Sequence, residues 1–217
     1  RPPHLCPSNP QVLEIAVSRA LQYFRRNSQV DSMLLFRREP EGFCQDEGCK
    51  ALDIGEVDPV TGFPSVTDRA LRFANALAAR VRQEMPGKSF LFLVNGPTAP
   101  PPRREPLDKG VIPVVFTASF CHFHSPASRG CLSARVLDSY LRRWCALSPD
   151  VRVVIEEPLP AARELPFPRS RYLQETVRYL HELGVTGVEL VGEGSWIASG
   201  LNRYLAARLL WDSGEDP

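Results

Sequence analysis

Apolar positions along the chain fall into two alternating textures. Short, nearly continuous runs rich in Val, Ile, Leu and Phe predict buried parallel strands at Met33–Arg37, Phe90–Asn95, Val111–Ala118, Val151–Glu157 and Gly187–Val191. Between them, apolar residues recur at helical spacing. The first helix is predicted over Gln11–Arg26, with Ser8 or Asn9 as cap and Pro10 in the first turn, where no N–H is needed. A second follows Ser65, whose spacing to Asp68 resembles a capping box, and ends near Met85-Pro86-Gly87. A third covers Ser133–Cys145, with Val136, Leu137, Tyr140, Leu141 and Trp144 as its stripe. A fourth covers Arg169–Leu183 and stops at Gly184, and a fifth runs from Ile197 to Trp211 with Leu201, Tyr204, Leu205 and Leu209.

Alternating strand and helix argues for right-handed crossover units and an α/β domain. The step from the strand at residue 90 to the one at 111 is too short for a normal helix with its loops. It holds Gly96-Pro97-Thr98-Ala99-Pro100-Pro101-Pro102, so the crossover at 96–110 is expected to be Pro-rich and helix-poor. Five strands do not close a barrel, which needs eight. An open doubly wound sheet would favour a phosphate loop, and neither glycine-rich fingerprint is present. Gly192-Glu193-Gly194 places a carboxylate where phosphate would sit, which argues against nucleotide binding.

In α/β folds the chemistry lies at the carboxyl ends of the strands. Those ends lead here to Arg38 and Glu39, to Asn95, to Cys121-His122-Phe123-His124, to Glu156 and Glu157, and to Glu193 and Trp196, with Glu189 inside the last strand. Several carboxylates, two histidines and an aromatic face suit sugar chemistry, in which one carboxyl donates a proton and a second serves as base or nucleophile. His122 and His124, spaced i, i+2, lie on one side of an extended segment. With a carboxylate they form the set of a metal-dependent hydrolase, a poorer reading.

Composition narrows the classes. The chain has 217 residues, 26 Lys+Arg against 25 Asp+Glu and a formal charge of +1, which gives no whole-protein case for nucleic acid or an anionic membrane. No apolar run approaches a bilayer span and no leader precedes the first helix. The first residue is Arg1, so an N-terminal piece is expected to be missing. Proline, 21 residues, is about twice its usual share. Six cysteines are too sparse for a disulfide scaffold. Cys44 and Cys49 lack a second compact pair, so a structural or disulfide role is expected and no metal; Cys121 and Cys131 are a further possible pair.

The stretch Cys6-Pro-Ser-Asn-Pro-Gln-Val-Leu-Glu14, then Gly42-Phe-Cys44 through Cys49-Lys-Ala-Leu-Asp53, resembles a bacterial family known as domain of unknown function 4838. So do Leu71-Arg-Phe-Ala-Asn-Ala-Leu-Ala78, the Pro-rich connection, the Cys-His segment before Cys131 and the ending Gly200-Leu-Asn-Arg-Tyr-Leu-Ala-Ala-Arg-Leu-Leu-Trp-Asp212. The likeness extends over nearly the whole chain. It implies a TIM-like (β/α)8 barrel similar to family-20 glycoside hydrolases and α-glucuronidases. Residues 1–217 would form one partial barrel domain, the C-terminal five-eighths of the barrel, completed by a missing N-terminal segment or a partner chain. Such a piece would have an unpaired edge at Met33–Arg37.

The resemblance further implies a carbohydrate substrate or ligand, no cofactor, no nucleic-acid or membrane partner, and an extracellular or periplasmic location rather than a cytoplasmic one. Glu39 is then the leading general-acid candidate, with Glu189, Glu193 or Glu156 as second carboxylate. Asn95, His122, His124, Trp196 and Arg38 would line the sugar subsite. Two departures stand out. The family usually ends this first strand in Asn-Asp, where this chain has Arg38-Glu39, and it tends to carry C-x-C-x-x-C, where this chain has Asp46 in the centre. The second reading is a sugar-binding or scaffold barrel without catalysis.

Overall fold

The structure, a computed structural model, describes residues 5–35, 43–156, 168–191 and 196–214. Five parallel strands form one sheet in sequence order: β1 (Ser32–Leu34), β2 (Ser89–Val94), β3 (Val111–Phe116), β4 (Arg152–Glu156) and β5 (Gly187–Val191). The helices α1 (Pro10–Arg26), α2 (Glu47–Lys50), α3 (Thr67–Glu84), α4 (Leu132–Leu147), α5 (Ser170–Glu182) and α6 (Trp196–Trp211) come before, between and after them. This is the α/β order of part of a TIM-like barrel, since only sequential parallel pairing leaves each helix as the crossover between neighbouring strands. No helix among the described residues is long and apolar enough to cross a membrane. The chain divides into two compact units, Arg1–Val114 and Val115–Pro217.

In the first unit α1 starts where its sequence demands. Asn9 Oδ1 accepts the Gln11 N–H at 2.9 Å and Pro10 occupies the first turn. Its buried face is Val17, Ala20, Leu21 and Phe24. Phe24 meets Phe90 of β2 edge-on, with ring centroids 5.9 Å apart. Each such aromatic, once out of water, contributes about 1.5–3 kcal/mol. β1 pairs with β2 in the register Met33↔Phe90, and Leu35 N–H extends the ladder to Leu91 O at 3.1 Å. The remainder of the predicted first strand lies outside the described residues.

The expected capping box at Ser65 and Asp68 is corrected by the structure. The cap position of α3 is Val66, with no side-chain capping bond. Asp68 instead receives the backbone N–H groups of Arg103, Arg104 and Glu105, the latter two at 2.7 and 2.9 Å. The Pro-rich crossover is helix-poor as anticipated, with only a 3-10 turn at Gly96–Thr98. Without helix or ladder, its polar backbone needs other partners, and α3 supplies them. Thr67 Oγ1 donates to Pro100 O (2.7 Å), Asn75 Nδ2 donates to Pro106 O (2.7 Å), and Asn75 Oδ1 accepts from Asp108 N–H (3.0 Å). Arg82 pairs with Asp108, which also accepts the Gly110 N–H at 2.7 Å.

In the second unit α4 buries Ala134, Leu137, Tyr140, Leu141 and Trp144, close to the predicted stripe. β4 and β5 pair in the register Val154↔Glu189 and Glu156↔Val191. α5 ends before Gly184, whose φ of +83° is the left-handed conformation that glycine adopts without strain. The predicted apolar stripe of α6 is partly overturned. Leu205, Ala206 and Leu209 are buried together with Ser199 and Asn202, whereas Leu201 and Tyr204 are exposed. The buried face accepts two polar residues because Asn202 has a partner: its Oδ1 receives the Arg169 N–H at 3.0 Å, just before α5.

Candidate functional site

The carboxyl ends of β3 and β4 are tied together by one hydroxyl. Thr117, buried immediately after β3, donates its N–H to Val154 O (3.0 Å), and its Oγ1 accepts the Glu156 N–H (3.1 Å). Thr is suited to this position, being β-branched and able to substitute a side-chain oxygen for a ladder carbonyl. The chain then turns through Phe120, whose N–H returns to Thr117 O at 2.9 Å, and Cys121, whose N–H is held by Ser133 Oγ at 2.8 Å. That turn fixes His122 and His124.

His122 is half-buried, and its Nδ1 is enclosed without a hydrogen-bond partner among the described residues. Burial, with the charge of Arg169, holds this imidazole below its ordinary pKa, against a hydrogen bond to the Ala118 backbone. A neutral ring with an open nitrogen is a proton acceptor or ligand in waiting. Arg169, buried, donates through Nη1 to Glu156 O at 3.3 Å, and its guanidinium carbon lies 4.1 Å from the centre of the Tyr172 ring. Burial raises the Tyr172 hydroxyl above its usual pKa, against the pull of Arg169 and Thr176. Glu175 accepts from Arg171 Nε (2.7 Å) and Ser125 Oγ (2.9 Å). Arg171 chiefly holds its carboxyl below the ordinary range.

These groups line one cleft of about 440 Å3, walled by His122, His124, Ser125, Arg169, Tyr172 and Glu175. Two histidines, two cations, one carboxylate and a phenol share the lining. Such a lining offers hydrogen bonds and positive charge to a polar, anionic small molecule.

The structure distributes the predicted site residues unevenly. Glu156 ends β4 and is 7% exposed, held through its backbone by Thr117 and Arg169. Glu189 is exposed in β5. Paired residues of parallel strands point to the same side, and Glu156 opposite Val191 is two residues beyond Glu189. The two carboxylates therefore share a sheet face, on a diagonal of roughly 8 Å between backbones. Asn95 belongs to the first unit, where its N–H binds Thr98 Oγ1 at 3.2 Å and its carbonyl opens the 3-10 turn. Trp196, 66% exposed at the start of α6, lies over its own helix beside Gly200 and Arg203. His124 is exposed, with Nδ1 3.3 Å from Cys121 Sγ. Arg38, Glu39 and Glu193 lie outside the described residues.

Sequence reading missed Arg169, Tyr172 and Glu175 because they open a helix, where charged residues are ordinary. Their i, i+3 spacing, 169 to 172 to 175, was the available signal. It also missed how the cysteines gather. All six are free. Cys6, Cys44 and Cys49 bring their sulfurs within 4.8 Å of one another, and Cys121, His124 and Cys131 do the same with their donor atoms.

The family whose model matches the chain is described as Domain of unknown function (DUF4838), and the match covers residues 1–217. No curated protein and no solved structure matches the chain. A match over every residue assigns the whole chain: it belongs to the DUF4838 family.

Proposed function

We propose that the chain is a carbohydrate-active protein that hydrolyses a glycosidic bond with paired carboxylates at strand ends. The observation that supports this most directly is the shared sheet face of Glu156 and Glu189. One carboxyl is withdrawn from water and the other is solvated, the asymmetry by which glycosidases separate a proton donor from a charged partner. The cleft, whose lining includes neither Glu156 nor Glu189, contributes recognition in this reading. Arg169 and Arg171 suit the carboxylate of a uronic acid, and Tyr172 and His122 offer hydrogen bonds to hydroxyls.

A second reading, sugar binding without turnover, has its own support: Glu175 is engaged by Arg171 and Ser125, and the remaining cleft groups are mainly cationic. Hydrolysis of a panel of aryl glycosides and aryl uronides separates the two. The hydrolase reading expects turnover of a uronide that falls by 100-fold or more in Glu156→Gln or Glu189→Gln, on the order expected for loss of general acid–base catalysis. Glu39→Gln belongs in the same series, because the family likeness implies an acid at that position. Saturable binding of a uronate with no turnover would transfer the assignment to the second reading.

A further inference from the structure

Four side chains outside the cleft converge in the first unit from two distant stretches. Cys6 precedes α1, Cys44 and Asp46 precede α2, and Cys49 lies within it. The Cys6 and Cys49 sulfurs are 3.6 Å apart, and Cys6 Sγ is 3.3 Å from Asp46 Oδ2. The Cys44 sulfur lies within 4.8 Å of both other sulfurs. A tetrahedral zinc with Zn–S bonds of ~2.3 Å has sulfurs roughly 3.8 Å apart along each edge. The three sulfurs therefore fit three corners of a ligand shell, and Asp46, whose Oδ2 lies beside Cys6, is the carboxylate placed to supply the fourth. A disulfide would use two of the three thiols and needs sulfurs at about 2.05 Å.

We propose that Cys6, Cys44, Cys49 and Asp46 form a closed, four-coordinate site for zinc(II). Binding forms three Zn–S bonds and one Zn–O bond. Each thiol loses its proton to solvent, and zinc sheds its water ligands, with no change of oxidation state. Three thiolates and one carboxylate leave the filled site at net charge −2.

The surroundings are those of a supported metal shell. Ser8 Oγ lies 3.1 Å from Cys49 Sγ and can donate to that thiolate. Arg69, 4% exposed, donates to the Cys44 carbonyl at 2.7 Å and pairs with Asp53 at 3.1 Å, bringing positive charge beside the anionic shell. Cys49 itself is fully buried. With four protein ligands there is no open position, so the ion is structural. It staples the turn before α1 to the long connection between β1 and α3, which has only the single turn α2 for regular structure among the described residues.

The test is metal analysis of the full chain purified with zinc, together with cobalt(II) substitution. To isolate this site from Cys121, His124 and Cys131, every protein carries Cys121→Ser and Cys131→Ser. Expected are one equivalent of zinc and, with cobalt, thiolate charge-transfer absorption plus the intense visible bands of a tetrahedral ion. Asp46→Ala should weaken zinc at least tenfold in competition with a chelator. Asp46→Cys should retain the equivalent and strengthen the charge-transfer band, which keeps the test open should Asp46→Ala fail to fold. The proposal is overturned by the absence of bound zinc, by weak octahedral cobalt bands, by affinity unchanged in Asp46→Ala, or by denatured, chelator-treated protein that shows two thiols fewer than its cysteines.

Discussion

The guanidinium carbon of Arg169 lies over Tyr172, 4.1 Å from the ring centre, while its Nη1 reaches the carbonyl of Glu156 at 3.3 Å. One side chain thus joins the end of β4 to the first turn of α5 and sets the wall of the cleft. Lysine preserves the charge but neither the planar guanidinium nor its forked donors. Arg169→Lys is expected to lower stability by about 1–2 kcal/mol and to weaken uronate binding about tenfold. Denaturant unfolding and titration with a uronate measure the two effects; an unaltered uronate affinity would remove Arg169 from the binding wall.

His122 gives the second unit a pH dependence of known sign. Its folded pKa is below the ordinary value of 6.5, first because of burial and then because of Arg169. Between those two values the unfolded chain binds more protons, so stability is full above pH 6.5 and falls as pH drops toward the folded pKa. His122→Phe is expected to flatten that part of the profile. Thermal unfolding of both proteins from pH 7.5 to 5 checks it.

Asp108 anchors the end of the Pro-rich crossover. Burial raises its pKa, but Arg82 and the Gly110 N–H outweigh that and hold the carboxyl below its usual 3.8. The stabilisation is present above pH 3.8 and is lost as pH falls through the lower folded value. Asp108→Ala should cost roughly 2–3 kcal/mol at pH 7 and lose most of that difference in strong acid. Urea unfolding at both pH values reads it directly.

Asp68 is the other anchor, with Oδ1 at 2.7 Å from Arg104 N and 2.9 Å from Glu105 N, and Oδ2 at 3.1 Å from Arg103 N. Asp68→Asn keeps one acceptor oxygen and turns an NH2 toward a donor. It should cost about 1–2 kcal/mol, and Asp68→Ala about 3. Amide hydrogen exchange at residues 103–105 should accelerate in both. Protection unchanged in Asp68→Ala would show that the crossover is held without Asp68, by its remaining anchors.

Period and punctuation were readable locally. Helices α1, α4 and α5, the Gly184 stop and the helix-poor crossover followed from residues adjacent in sequence, because caps, amphipathic stripes and left-handed glycines act within one or two turns. Where a side chain has two possible customers, local reading failed. Asp68 had the spacing of a cap yet serves backbone amides 35 to 37 residues away. Asn202 is buried beside Leu205 and Leu209 through its bond to Arg169, while Leu201 and Tyr204 of the same helix are exposed.

The same distinction governs function. The sequence by itself determined the strand–helix alternation, the family and the strand-end positions of Glu156, His122 and His124, since these depend on order along the chain. Only the tertiary structure decided that Glu156 and Glu189 share a face, that Arg169 and Tyr172 wall the cleft beside His122, and that Cys6 joins Cys44 and Cys49 across 43 residues. Strand register and loop convergence are long-range contacts, fixed by the packing of many side chains at once rather than by any local period.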